Sequence, residues 1–576
     1  MLIGAEAAVL GREEGRAGRF LGRSWIAVLS AILAAQVARA DAVPPTAFDS
    51  PDFLPNDSRL NPWVSPLRSC GGPPGGCNVT VHMGFINTDY ACTITPSSGA
   101  VAERDQTLTP ATDVTRNVLG WIDGAASPAS VRILFGGGRD SEASIRDLLP
   151  NTTGIAEVEK GKHGKRWRNP RTHAKVLQVD DGGGRFVTTH GSLNLQTVGL
   201  TCKANDTLRF VERAPNLYAY FLALAEAAGS GSGKGRFPGR SGTKDSSGTG
   251  LPPVRIGGYR VWFYAGRGNE FVGGVGGADQ EAWPTYLNPP LPGQHAPGSV
   301  NWFDAVIVDA ARQLRQGRTV RLSVAMFEIG QEAAFVDNLW KFVGEGFAGM
   351  VTEDRTSDAR VASPFPGNLD VRFLWQFQSL RDEGSTTWAN LNRTPSLARS
   401  DPATGATYRL ASAGIWTPRD GSGNPVHPTT PQDMHVKFML MDVVGHESER
   451  RIYVTSSNLD TPELGSGKLW QVGTVVGEYP GTGTWSGTRA SGPSLWQAYQ
   501  KYFDMLWTGR DGQPAAGQVA FFERIRAEHL RGGMNWIETL PSGNARDPSI
   551  AGEGIDAFFF PVPLTATPAA GGGPAR

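Results

Sequence analysis

Helix-like and strand-like stretches alternate along this chain in two matching blocks. This predicts an α/β fold built as two sandwich halves, each around one mixed sheet. Three observations carry the expectation. A polar motif flanked by strand-like runs occurs twice, a proline-led helix follows each copy, and a Gly/Ser-rich segment from Gly229 to Gly250 separates the blocks. Each half carries one motif, so the halves are expected to pack about a pseudo-twofold axis with the site at their interface.

In the first block, a helix-like stretch from Val114 to Asp123 and a strand, Val131-Arg-Ile-Leu-Phe135, precede the motif. The second has a helix from Trp302 to Gln316, a strand Val320 to Phe327, a helix at about 331 to 344 and a strand Val371 to Trp375. The motif runs themselves, Lys175-Val-Leu-Gln-Val and Lys437-Phe-Met-Leu-Met, are apolar with β-propensity. Each is followed by a turn and a second such run, Arg185-Phe-Val-Thr-Thr or Arg451-Ile-Tyr-Val-Thr. The later helices open at Pro215 and Pro493, and proline suits the first helical turn. The domain reading is an export signal over 1–40, a first half over 41–228, a linker over 229–252, a second half over 253–540 and a Pro/Gly/Ala-rich tail over 541–576.

The motif reads His173-Ala-Lys175, four residues, Asp180, then Gly191-Ser192-Leu193-Asn194. Its second copy reads His435-Val-Lys437, four residues, Asp442, then Thr455-Ser456-Ser457-Asn458. In a strand, residues two apart share a face, so each His points with its Lys, and each Ser with its Asn. Asp180 and Asp442 lie an odd seven residues past their histidines and are expected to face away as structural carboxylates. Duplicated His, Lys and Asn are the groups needed to break a phosphodiester without a metal. A neutral imidazole attacks phosphorus, a second protonates the departing alkoxide, and Lys and Asn hold the non-bridging oxygens. A metal centre does not fit, because Lys is not a normal ligand and the clustered spacing that zinc or iron needs is missing from both motifs.

The pattern resembles the phospholipase D superfamily, whose signature is His-x-Lys-x4-Asp followed by Gly-Ser-x-Asn, twice in single-chain members. The first copy matches at every defining position, and the second departs where Thr455 replaces Gly. The resemblance covers both motif regions and the span from about residue 80 to 510. It implies a covalent phosphohistidine on His173, with His435 as general acid and no cofactor. It also implies a carboxylate past the Asn that fixes the tautomer of the nucleophile, for which Asp206 is the candidate. The comparable place in the second half holds Gln471, with Glu463 or Asp460 as other options. The implied substrate is a phospholipid at a membrane or micelle surface, cleaved by hydrolysis or transphosphatidylation. The alternatives are a metal-independent nuclease of the same superfamily and a catalytically inert extracellular binding protein.

Composition fits a secreted, monomeric enzyme. The 576 residues carry 55 basic and 55 acidic side chains, so the general basic footprint of a nucleic-acid binder is lacking. Locally, Lys160, Lys162, Lys165, Arg166, Arg168 and Arg171 crowd the approach to His173. Arg12, Arg16, Arg19 and Arg23 precede an apolar run from Trp25 to Ala35, and Ala38-Arg-Ala40 offers a cleavage site, which reads as export to the periplasm or medium. The four cysteines suit that compartment and allow three pairings, of which Cys70–Cys77 would close a Gly/Pro turn and leave Cys92–Cys202 as a second bridge, with reduced cysteines as the alternative. The other histidines (82, 163, 190, 295, 427, 446, 529) read as structural or surface residues. Four tryptophans in Gly- or Pro-rich loops, Trp283, Trp388, Trp416 and Trp485, are candidates to rim the site at an acyl or membrane interface.

Overall fold

The computed structural model describes residues within 63–229, 253–274, 299–414, 434–508 and 553–560, with short breaks inside these spans. Residues 1–40, read as an export signal, and the expected linker beyond Gly229 lie outside the described residues, as do Trp283, Trp416 and Cys202 of the expected second bridge.

The first half is a sheet of β1 (Cys77–Met83), β2 (Ala126–Phe135), β3 (Gly154–Glu157), β4 (Lys175–Asp180), β5 (Phe186–Gly191) and β6 (Asn205–Glu212). Their spatial order is β6-β5-β4-β1-β2-β3. The second holds β7 (Tyr259–Arg267), β8 (Val320–Ile329), β9 (Leu369–Gln378), β10 (Thr407–Gly414), β11 (Lys437–Val443), β12 (Arg451–Thr455) and β13 (Leu469–Glu478). There the order is β13-β12-β11-β8-β9-β10. Directions repeat as well. The inner strands β1 and β8 run parallel to β2 and β9, and antiparallel to the motif strands β4 and β11. Met83 pairs with Lys175 and Met326 with Lys437, so the two registers superpose residue for residue. Both motif strands are buried along their whole length, which explains continuous apolar runs in place of alternation.

The five longest helices among the described residues complete the halves: α1 (Val114–Ala125), α2 (Asn216–Gly229), α3 (Trp302–Arg315), α4 (Ala334–Gly344) and α5 (Leu495–Thr508). Three apolar cores follow. One lies under α1 on the first sheet with Ile133, Leu177 and Val187, and one under α3 and α4 on the second with Val324, Val371 and Met439. The third joins residues of both halves, including Val176, Phe210, Phe221, Phe263, Phe438 and Tyr499 from the two sheets, α2 and α5. Helix α2 begins where it does because the Glu212 carboxylate accepts the Leu217 and Tyr218 N–H groups at 2.8 Å. Burial raises that carboxyl from 4.5 to about 7. Helix α5 opens on a reciprocal cap. The Gln497 N–H donates to Ser494 Oγ at 3.2 Å, and the Ser494 N–H donates to Gln497 Oε1 at 2.8 Å.

The expected tail is corrected in part. Gly554–Phe560 is a strand of the first sheet, antiparallel to β6, in the place that β7 takes beside β13. Its alternation is regular: Phe558 faces the first outer core while Ile555, Ala557 and Phe559 face the shared one. Seven residues among Gly, Pro and Ala gave too weak a compositional signal to stand out. Trp485 is also corrected. It is fully buried, with its ring 5.4 Å from that of Tyr259, because the turn it sits on folds over the shared core. Trp388 lies on the short helix Thr386–Asn392, with Arg393 over its ring at 5.0 Å. Cys70 and Cys77 form the expected disulfide.

Phe559 packs on Tyr499 at 4.8 Å and Tyr502 at 4.6 Å, so it ties the C-terminal strand to α5. Phe559→Ala should destabilise the protein by about 3–5 kcal/mol, the usual cost of a large aromatic deletion in a core. Urea denaturation of the variant checks this, and a loss below 1 kcal/mol would mean that the strand adds little.

Candidate active site

Both histidines precede their motif strands and are gripped by the opposite half. The backbone before His173 pairs with β13 (Arg171 with Leu469, Thr172 with Trp470), and the His173 N–H donates to the Trp470 carbonyl at 2.8 Å. His435 reaches the other way, its Nδ1 lying 2.9 Å from Asn205 Oδ1 on β6. The Asn205 amide nitrogen already donates to the Gly199 and Lys203 carbonyls, which turns its oxygen toward His435. An amide oxygen only accepts, so His435 carries its proton on Nδ1 and presents a bare Nε2. Gln471 on β13 is the amide of the second half set against the His173 ring. The exchange is reciprocal, as a pseudo-twofold arrangement requires.

The lysines are fully buried beneath the rings. Lys175 Nζ donates to the His173 carbonyl at 3.0 Å, and Lys437 Nζ donates to the His435 carbonyl at 3.0 Å. Lys175 also reaches the Ser456 carbonyl at 3.5 Å, across the interface. Both imidazoles titrate well below their usual 6.5, first because burial disfavours the imidazolium and then because these two ammonium groups repel it. Lys203, from the first half, adds to that repulsion at His435.

The serines latch the motif loops onto the neighbouring strands. The Ser192 N–H and Oγ donate to the Asp206 carbonyl, and Oγ accepts the Asp206 N–H at 2.9 Å. Ser456 makes the same three bonds with Val472. Asn194 and Asn458 are buried beside the histidines, and Asn458 Nδ2 donates to Glu328 Oε2 at 2.9 Å. The two aspartates stand at the far ends of the motif strands. Asp180 accepts from Asn78 at 2.8 Å and from the Gly182 N–H at 2.9 Å, while Asp442 accepts from Arg450 at 2.7 Å.

Asp206 is a correction. It does not meet His173. It is fully buried, accepting from Tyr499 at 3.1 Å and from the Lys437 N–H at 3.4 Å, and burial raises its pKa. The neighbouring Asn205 faces the site instead. Register explains the slip. Gly191 pairs with Thr207 and Thr455 with Gly473, which makes Asn205 the counterpart of Gln471 and Asp206 the counterpart of Val472. The same pairs account for Thr455. A Cβ on Gly191 would lie 2.3 Å from the Asp206 carbonyl oxygen, but in the second half the glycine has moved across the ladder to position 473.

Sequence reasoning missed four further residues. Gly84 and Phe327 hold equivalent places after Met83 and Met326. A Cβ on Gly84 would lie 3.2 Å from His173 Cδ2, whereas the Phe327 ring lies 4.7 Å from that of His435 and 4.8 Å from Lys437 Nζ. The next positions hold Phe85, edge-on to His173 at 6.2 Å, and Glu328. The signal was present, since Val81-His-Met-Gly-Phe-Ile86 and Val324-Ala-Met-Phe-Glu-Ile329 align without a gap.

Among the described residues, no group of three or more His, Cys, Asp or Glu is placed to hold a metal, and no helix is long and apolar enough to cross a membrane. In the basic run, the backbone of Lys162–His163 pairs with that of Arg166–Trp167, while Lys160, Lys165 and Arg168 lie outside the described residues. His82 and His190 are buried, and burial lowers each to about 3.

No family model and no curated protein matches the chain. Among solved structures it is similar to polyphosphate kinase from Porphyromonas gingivalis, with a TM-score of 0.38 and 8% identity over 82% of this chain and 54% of that one. The chain thus spans about half the length of that protein. It is also similar to yeast tyrosyl-DNA phosphodiesterase, with a TM-score of 0.29 and 12% identity over 60% of this chain and 77% of that one.

Replacing the neutral amide at 471 by a carboxylate would add a charge that favours the imidazolium. Gln471→Glu should therefore move the titration of His173 upward toward the ordinary histidine range. Carbon-13 NMR of histidine-labelled protein across pH reads this directly, and an unmoved His173 resonance would show that the side chain does not govern the ring.

Proposed function

We propose that this protein is an extracytoplasmic phosphodiesterase of the phospholipase D type. It removes phospholipid head groups through a phosphohistidine, with His173 as nucleophile and His435 as general acid. The observation that carries the reading is the reciprocal clamp: two buried histidines from opposite sheets, each oriented by an amide of the other half and backed by a lysine. Superfamily membership rests on the two motifs and is part of the proposal, as is export, which rests on residues 1–40.

The division of labour follows from asymmetry around the rings. Gly84 packs its bare backbone against His173, where a Cβ would crowd the ring, while the Phe327 ring lies on His435. His173 attacks phosphorus as the bond to the head-group oxygen breaks, and His435 supplies the proton that the alkoxide takes. Lys175, Lys437, Asn194 and Asn458 hold the non-bridging oxygens, whose charge grows in the transition state. The arriving phosphate also raises the proton affinity of His435 by supplying a counter-charge that burial and the lysines otherwise deny. Water, deprotonated by His435, then attacks phosphorus and the P–N bond breaks. An alcohol in place of water exchanges the head group.

Because lysine and asparagine supply the electrostatics, activity on phosphatidylcholine should persist in EDTA. Complete loss in chelator, restored by a divalent ion, would count against the two-histidine route. Plasmid DNA assayed alongside tests the nuclease alternative. Leaving-group chemistry separates the two histidines. His173→Ala should abolish turnover of every substrate. His435→Ala should fail on natural lipids, yet release one burst of nitrophenol from p-nitrophenyl phosphocholine and then stall. Intact mass should place an acid-labile, base-stable adduct on His173. A burst from His173→Ala with label on His435 would reverse the roles.

A further inference from the structure

The two halves repeat each other closely around the shared core, but at one place the repeat exchanges apolar groups for polar ones. Aligned from Pro215 and Pro493, Phe221 and Leu224 of α2 correspond to Tyr499 and Tyr502 of α5. All four are buried in the core that joins the halves. The strand residue opposite changes with them, since the counterpart of Val472 on β13 is Asp206 on β6. The Tyr499 hydroxyl donates to Asp206 Oδ2 at 3.1 Å, and the Tyr502 hydroxyl donates to the Asn205 carbonyl at 3.4 Å. Burial, and then the Asp206 charge, hold both phenols well above their usual 10, so they stay donors. The Lys437 N–H donates to Asp206 Oδ1 at 3.4 Å, two residues past His435. All three bonds come from the second half, and they end on Asn205 and Asp206, the first of which holds the His435 ring. On the reciprocal side, Val472, Phe221 and Leu224 have no side-chain group able to form such bonds.

A carboxyl and two hydroxyls in an apolar core cost stability unless they are bonded, and the His173 side shows that the fold is built there without them. We propose that Asp206, gripped by Tyr499 and by the Lys437 main chain, is a positioning residue for His435. It pins β6 to the second half beside the Asn205–His435 bond and so keeps the amide oxygen aimed at Nδ1. The inference rests on the reading of His435 as the acid, and deepens it. His173 is tied to the opposite sheet by its own main chain, through the Trp470 carbonyl, whereas His435 is reached from β6 by a side chain. A side chain is the looser link, which gives the added bonds a purpose on this side. An acid must present its Nε2 proton along one line to the leaving oxygen and, in the second step, a bare Nε2 to water. Loss of the Asn205 oxygen from Nδ1 lets the ring turn or take the other tautomer, and both functions weaken.

The test imports the apolar pair of the other half. Asp206→Val with Tyr499→Phe reproduces Val472 and Phe221, a combination that the shared core already holds, and Tyr499→Phe alone is the milder variant should the pair fail to fold. In full-length protein labelled with nitrogen-15 histidine, the wild type should show His435 as a single Nδ1–H tautomer. The variants should show a mixture of tautomers there and leave His173 unmoved. In the first turnover, release of choline from dihexanoyl phosphatidylcholine should slow on the order of tenfold, a part of the roughly 10²–10⁴ that a positioned acid supplies. The nitrophenol burst from p-nitrophenyl phosphocholine, whose leaving group needs no proton, should slow far less. Asp206→Asn, which keeps an acceptor for Tyr499, should retain most of the rate. An unchanged His435 tautomer in the variants would overturn the proposal, as would equal slowing on the two substrates, the result expected of a merely structural pair. A wild type inactive on both substrates would instead remove the hydrolase reading, and the tautomer measurement would still decide whether Asp206 positions the ring.

Discussion

Each histidine of the site is held by the half of the molecule to which it does not belong, and most of the architecture serves that exchange. The His435 ring is fixed from β6 through Asn205, and the His173 main chain and ring are fixed from β13 through Trp470 and Gln471. Neither strand could do this unless the two sheets faced each other at a defined distance. The shared core sets that distance, and α2 and α5 supply its spacers. The C-terminal strand belongs to the same system. Phe559 presses on Tyr499, whose hydroxyl bonds Asp206, the residue beside Asn205 on β6. A contact at residue 559 thus bears on the tautomer of a histidine at 435.

Much of this was legible in the chain. The duplicated His-x-Lys, the apolar motif strands and the alternation of helices with strands gave two α/β halves before any coordinates, because strand parity is a strict rule. Asp180 and Asp442 were readable as outward-facing for the same reason. What failed was an offset. Asn205 follows Asn194 by 11 residues, and Gln471 follows Asn458 by 13, so counting from the motif does not align the two partners. In a strand, an error of one residue exchanges the two faces, and Asp206 was read where Asn205 stands. The strand at Gly554–Phe560 was hidden differently. It pairs with a segment over 340 residues earlier, and no local pattern announces a partner so remote.

The departures between the copies are compensated rather than random. Glycine at 191 faces Thr207, and Thr455 faces Gly473, so one side chain fills the same space in both halves from opposite strands. Glu212 and Glu478 hold equivalent strand ends, and both accept backbone N–H groups of the segment that follows. Where no compensation exists, at Gly84 against Phe327 and Phe85 against Glu328, the difference falls on the histidines themselves. A fold that conserves space everywhere except at the chemistry is using its asymmetry there.

The use of amides in place of carboxylates follows the same logic. A carboxylate beside each imidazole would raise its proton affinity and hold it cationic, which suits an acid but disables a nucleophile. Asn205 and Gln471 fix the rings while adding no charge, and the buried lysines push both toward the neutral form. In the resting site both rings are neutral and lie against the two buried ammonium groups. On the mechanism proposed above, an arriving anion would shift the balance at both rings toward the protonated form, in which His435 can act as an acid. Gating by substrate charge of this kind needs a dry pocket. Exposure of 7% at His173 and 8% at His435 is low enough for the field of one phosphate to decide the protonation of its neighbours.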